Sequence, residues 1–223
     1  MIDKNSDKFF SELAAMWCRN DIENADLALV ADKIVNKNVT LVSVAPEYVH
    51  VMWPWLEKHP VKMMARFFVN DRKITEKNIS DLTVKINSTL KQGASGAQVF
   101  VPYKLLDDLV EQTYVVRDDL FFDKDLAIGV NIYDLGPFDW DGLYQNLRKI
   151  RASALVLVLG PKDAQKKDFV GKIYAMLDAW RPENNFDLHF VYGPSLNCIE
   201  PTVRLVQRMQ PNLIDKMRFF FNV

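Results

Sequence analysis

The 223-residue chain has only two cysteines, Cys18 and Cys198, far apart and without metal-like spacing. Such a pair excludes a disulfide framework and fits a reducing compartment. Glycine is scarce, at eight residues, and none of them forms a G-x-G-x-x-G turn or a P-loop. The two common phosphate-cradling signatures are therefore absent. Charge of one sign is missing as well: 28 basic and 29 acidic residues leave a net charge of −1. That balance excludes the basic footprint of a nucleic-acid binder. The longest strongly apolar run, 154–159, falls far short of the roughly 20 residues that cross a bilayer. The polar start MIDKNSDKFF does not resemble a signal peptide. A cytoplasmic location with no membrane partner is expected. No His/Glu/Asp spacing suits a metal, no G-x-S-x-G elbow is present, and no cofactor is implied.

With 49% hydrophobic and 26% charged residues, the composition is that of a globular protein. One domain over 1–223 is expected. Short apolar runs rich in β-branched and aromatic residues alternate with longer stretches of 3.6-residue periodicity. The strands are predicted at 39–45, 61–69, 97–101, 126–133, 154–159, 187–192 and 217–222. Helices are predicted at 47–58, 76–92, 103–116, 140–150, 163–180 and 196–209. Each strand is almost continuously apolar, as a parallel sheet covered on both faces requires. The pattern predicts a (β/α)8 TIM barrel with an additional N-terminal helix, near 7–14, and no helix after the last strand. Residues 15–19 are the candidate eighth strand, although AMWCR could equally prolong the first helix. An open doubly wound sheet is the rival, disfavoured by the missing nucleotide fingerprint. Gly136, Gly160 and Gly193 follow strands where the chain must turn, and Asp139 and Asp163 are placed as helix N-caps.

The stretch GASGAQVFVPYKLL, 93–106, resembles the third-strand signature of the deoxyribose-phosphate aldolase family, G-A-D-E-V-D-V-V-x-P-Y-R-A-L. Gly93, Ala94, Val99, Pro102, Tyr103 and Leu106 match, and Lys104 stands for the arginine. LVSVAPEYVHVMWPWL resembles the family's V-C-V-Y-P-R-F-V turn through Val44, Pro46, Tyr48 and Val49, and MRFFFNV resembles the start of its R-F-G-A-S-S strand. The resemblance implies a class I aldolase barrel, in which a low-pKa lysine on a strand forms a Schiff base with a carbonyl substrate. Here the alignment puts Val156 at that lysine. Val191, or His189 on a slipped register, stands at the supporting lysine, and Gln98 at the aspartate. Valine cannot form an imine, so Schiff-base chemistry is not expected. Lys162 follows in the next loop and could reach over the mouth, but a solvated lysine is a poor nucleophile at neutral pH.

The working face of such a barrel is the C-terminal end of its strands. Glu47, Asp134, Lys162 and His189 are the candidate acid–base groups. Arg66, Gln98, Asn131 and His189 interrupt apolar strands, and a buried polar residue must be paired. They form either a hydrogen-bonded layer inside the barrel, with Arg66 paired to an acid, or the lining of a ligand pocket. In the pocket reading Arg66 would meet a phosphate or carboxylate, oriented by Gln98 and Asn131 beside Tyr103. Gly193 and Ser195 open a helix where barrels often hold phosphate. The expected partners are a small-molecule ligand and a second copy of the chain. A dimer would cover Phe219 or Phe221, which a missing final helix would leave bare.

Overall fold

Strands that are apolar on both faces need cover on both faces. The chain provides it by closing eight parallel strands into a barrel in sequential order, β1 to β8. The computed structural model describes residues 12–69, 73–114, 124–159, 168–191 and 199–222. The strands are β1 (Ala14–Trp17), β2 (Leu41–Val44), β3 (Lys62–Phe68), β4 (Gly96–Phe100), β5 (Asp125–Asn131), β6 (Ala154–Val158), β7 (Asp187–Val191) and β8 (Met217–Asn222). Around them lie α1 (Asn24–Asn36), α2 (Val49–Leu56), α3 (Glu76–Lys91), α4 (Leu106–Tyr114), α5 (Trp140–Lys149), α6 (Phe169–Asp178) and α7 (Ile199–Met209).

The ambiguous AMWCR segment is a strand. Residues 14–17 pair with both β2 and β8, and that double pairing closes the barrel. Of the 7–14 helix, residues 7–11 lie outside the described part, Glu12 and Leu13 are helical, and Ala14 already belongs to β1. Several predicted boundaries shift at their strand ends. The segments 46–48, 103–105 and 132–134 are 3-10 turns rather than parts of the flanking elements. In the first two, a proline fixes φ just after the strand and tightens the turn. Asp139 holds the N-cap position of α5, but its carboxylate accepts the Gly136 N–H at 2.6 Å and leaves the helix amides alone. Asp163 and Gly160 lie outside the described residues.

Gly93, the first residue of the aldolase-like stretch, has φ of +114°, and a Cβ there would sit 2.4 Å from the Trp53 ring. Glycine is required both for the turn and for the indole packed on it. Trp53 therefore packs helix against barrel, whereas Trp55 is exposed. Phe219 is not bare: it is 1% exposed and stacks on Phe190 at 5.2 Å, while Phe221 is half-buried. The last strand thus lacks the open flank expected of it.

Neighbouring strands are staggered, so inward side chains from alternate strands fall into layers. From the N-terminal end, the pairing register stacks Leu41, Gly96, Ala154 and Arg218, then Ala15, Met64, Ala127 and His189. Ser43, Gln98, Val156 and Phe220 follow, and then Trp17, Arg66, Gly129 and Val191. Phe68, Phe100 and Val158 stand at the mouth. Large and small side chains alternate, so the barrel is filled by interdigitation.

Candidate functional site at the barrel mouth

Arg66 and Gln98 face the barrel interior, as their interruption of apolar strands suggested, and are buried at 2% and 0% exposure. Arg66 is not paired to an acid among the described residues. Its Nη1 donates to the Ser43 carbonyl and hydroxyl, both at 3.1 Å, and its Nη2 donates to the Cys18 carbonyl at 2.7 Å and to Asn20 Oδ1. The guanidinium carbon lies 3.9 Å above the centre of the Trp17 ring. A planar fork stacked on an indole and meeting several oxygens is an arrangement lysine could not reproduce. Burial pushes the guanidinium down to about 10, partly opposed by Cys18 and Glu47, so it remains a cation at neutral pH. Burial likewise pushes the Cys18 thiol up to about 11.

Beneath Arg66, Ser43 Oγ donates to Gln98 Oε1, while Gln98 Nε2 and Arg66 Nε have no partner among the described residues. The β1–α1 loop that carries Asn20 is pinned by Tyr48, whose hydroxyl donates to the carbonyls of Asn20 at 2.7 Å and Ile22 at 3.0 Å. A cavity of about 370 Å³ opens above, lined by Trp17, Arg19, Asn20, Asp21, Arg66 and Phe68. At its rim Arg19 forms a two-point ion pair with Asp21. Trp17 packs edge-on against Phe100, which stacks on Phe68 at 5.1 Å.

The other candidates scatter. Asn131 caps its own turn, accepting from the Tyr133 N–H at 2.9 Å. The Tyr103 hydroxyl donates to the Asp139 carbonyl at 3.2 Å, tying two loops together; burial, then Asp139 and Asp107, raises its pKa. Glu47 and Asp134 are exposed at the C-terminal end. Lys162, Gly193 and Ser195 lie outside the described residues. His189 is buried deep in the barrel and lines a different cavity, at the N-terminal end. Val156 is fully buried in the layer of Ser43, Gln98 and Phe220. Trp17, Arg19, Asn20, Asp21 and Ser43 are mouth residues that sequence reasoning missed. Ser43 alone carried a signal, as a polar residue inside LVSVA.

Burial, then repulsion from Arg218 and Lys62, pushes the His189 imidazole down to about 3. In the unfolded chain it titrates near about 6.5. The unfolded state therefore binds the extra proton first, and stability present above that value is lost as pH falls toward 3. Between pH 7 and pH 5 this one residue is expected to remove about 2 kcal/mol of stability. Urea unfolding of wild type and His189→Leu at both pH values reads the difference. Equal pH dependence in the two proteins would contradict the assignment.

Among the described residues no helix is long and apolar enough to cross a membrane, and no group of His, Cys, Asp and Glu could hold a metal. No protein-family model and no curated protein matches the sequence. Solved structures do match in fold. A Toxoplasma gondii ME49 protein assigned as a deoxyribose-phosphate aldolase superposes with a TM-score of 0.70 at 14% identity, covering 97% of this chain and 92% of that one. The tetrameric deoxyribose phosphate aldolase of Aeropyrum pernix gives 0.67 at 10% identity, covering 96% and 86%. The carboxyl transferase domain of Rhizobium etli pyruvate carboxylase gives 0.59 at 11% identity, covering 98% of this chain and 43% of that one. The chain is a (β/α)8 barrel, similar in fold to the deoxyribose-phosphate aldolases.

Proposed function

We propose that this barrel holds a small phosphorylated or carboxylated metabolite at its C-terminal mouth and performs no Schiff-base aldol chemistry. The observation that supports the reading is Val156, buried at the barrel centre in the layer of Gln98 and Phe220, at the position that the aldolase resemblance aligns with the imine-forming lysine. Imine formation needs a neutral amine in the pocket, and neither valine nor glutamine supplies one. Arg66 and Arg19 give the mouth its positive charge. In this reading Gln98 supports the floor, and Asn131 and Tyr103 shape the loops. Glu47 and Asp134 are ionisable groups of the same end, and Lys162, Gly193 and Ser195, expected there from the sequence, lie outside the described residues.

The test is incubation with deoxyribose 5-phosphate and borohydride, followed by intact-mass analysis, beside a titration that follows tryptophan fluorescence from Trp17. Saturable binding without an adduct is expected. A stoichiometric adduct on Lys162 would overturn the chemistry, and an absence of binding would overturn the ligand.

A non-catalytic role in assembly is favoured by one observation. Val170 and Tyr174 lie four residues apart on α6 and are each more than half exposed, at 54% and 52%. Such a stripe suits burial against a second copy. Native mass spectrometry of the same untreated sample should show a dimer, and a monomer at all concentrations would refute it.

A further inference from the structure

The N-terminal end of a (β/α)8 barrel is ordinarily closed by packed side chains. Here it holds a cavity of about 460 Å³, larger than the one at the mouth. Its origin is legible in the layers. Gly96 and Ala154 make up half of the lowest layer, and Ala15 and Ala127 half of the next, so these short side chains leave the space beneath His189 unfilled among the described residues. The volume is in the range of small-molecule pockets.

His189 forms the deep end. It is 5% exposed, and neither ring nitrogen has a hydrogen-bond partner among the described residues. Phe220 packs edge-on against the ring at 5.6 Å and supplies no polar atom. A buried imidazole left unpaired is costly, and a neutral one has both a donor and an acceptor to satisfy. At the outer end the charges are balanced. Lys62 is occupied by Asp125, at 2.9 Å. Arg218 Nη1 is tied to the carbonyls of Asp215 and Met217, and its Nη2 makes none of those bonds. The Asp187 carboxylate, half-buried beside it, has no hydrogen-bond partner among the described residues, and burial raises its pKa.

We propose that this cavity is a binding site for a small uncharged polyhydroxylated molecule, a polyol or sugar, with hydroxyls bonded to His189, Asp187 and Arg218. Hydroxyls satisfy the set because each can donate and accept. A phosphate or carboxylate would suit Arg218 but would meet Asp187 and Asp125, and would satisfy only the donor nitrogen of His189. An ammonium would face Lys62 and Arg218. The site lies at the opposite end of the barrel from the mouth, and the inference does not depend on what the mouth binds.

The experiment is imidazole ¹⁵N NMR on the full chain, titrated with glycerol, ribose, glucose and inositol up to about 0.1 M. The chain has three histidines, and exposed His50 and His59 serve as controls. A saturable shift of both His189 nitrogens with at least one of these compounds is expected, with the controls unmoved. Inorganic phosphate and acetate should produce no such shift. Asp187→Asn should weaken binding about tenfold or more, as loss of a charged hydrogen-bond acceptor does. Ala154→Leu should abolish it by filling the cavity; if that variant does not fold, Asp187→Asn decides alone. No shift with any polyol, equal binding of phosphate, or undiminished binding by a folded variant would each overturn the proposal.

Discussion

Arg66→Met is expected to destabilise the protein by about 3 kcal/mol. Methionine keeps most of the stem volume but leaves the buried Cys18 carbonyl and Asn20 Oδ1 without their Arg66 donor, while the Ser43 carbonyl keeps the Cys18 N–H at 2.9 Å. An unmet buried acceptor costs about 1–3 kcal/mol, so the Cys18 carbonyl and the Asn20 amide oxygen together account for about 2–6 kcal/mol. Two effects reduce the loss. Removing a desolvated cation is itself favourable, and water can reach Asn20 from the mouth. Arg66→Lys should fall between, because an ammonium serves fewer oxygens and forfeits the flat stack on Trp17. Urea unfolding with an unchanged m-value measures both variants. A loss below about 1 kcal/mol for methionine would mean that the Cys18 and Asn20 oxygens find other partners, and that Arg66 is held for a ligand alone.

The expectation bears on what the mouth can do. A guanidinium whose two terminal nitrogens are committed to backbone and loop oxygens cannot clamp an anion with two points. It offers its positive field and an Nε unpaired among the described residues, while Arg19, exposed and paired to Asp21, is the group placed to exchange partners. A ligand at the mouth would therefore rest over Arg66 and be gripped at the rim. Asp21 is the competitor it must displace, and an exposed pair of this kind yields at little cost.

Much of this architecture was legible in the sequence for one physical reason. A strand buried on both faces must be apolar throughout, so seven of the eight strands stood out, and Arg66, Gln98 and His189 stood out within them. β1 did not, because four residues of AAMW carry no period, and only pairing with β2 and β8 distinguishes strand from helix. Alternation also tells which residues face inward but not at what height. Height follows from the stagger between strands, which separates His189 from Arg66 although both interrupt apolar runs. The partners of Arg66 were hidden for a related reason. Two of the four are the backbone carbonyls of Cys18 and Ser43, which no side-chain pattern marks, and a third is the Asn20 amide on the loop after the unrecognised β1. Asn131 and Tyr103 look like site residues in sequence, yet the turns that follow their strands already use their polar atoms.

The aromatic filling of the mouth leads to the second large effect. Gly129 has ordinary backbone geometry, so Gly129→Ala would normally stabilise by up to about 1 kcal/mol through the unfolded chain. Here a Cβ would sit 2.2 Å from the nearest atom of the Phe100 ring. The ring cannot swing aside, because Phe68 stacks on one face and Trp17 meets it at 5.5 Å. Overpacking of this kind is expected to destabilise by about 3 kcal/mol, which outweighs the entropic gain. Phe100→Leu alone should also destabilise, since it leaves a cavity. In the double variant the smaller side chain makes room for the new methyl, so the two losses should not add. Thermal or urea unfolding of the four proteins gives the coupling, expected at about 1.5–2 kcal/mol in favour of the double variant. Additive losses would show that Gly129 is not glycine on account of Phe100. A coupling of the expected size would establish that the space inside this barrel, where an aldolase-like fold could admit a substrate, is occupied by the chain's own aromatic rings.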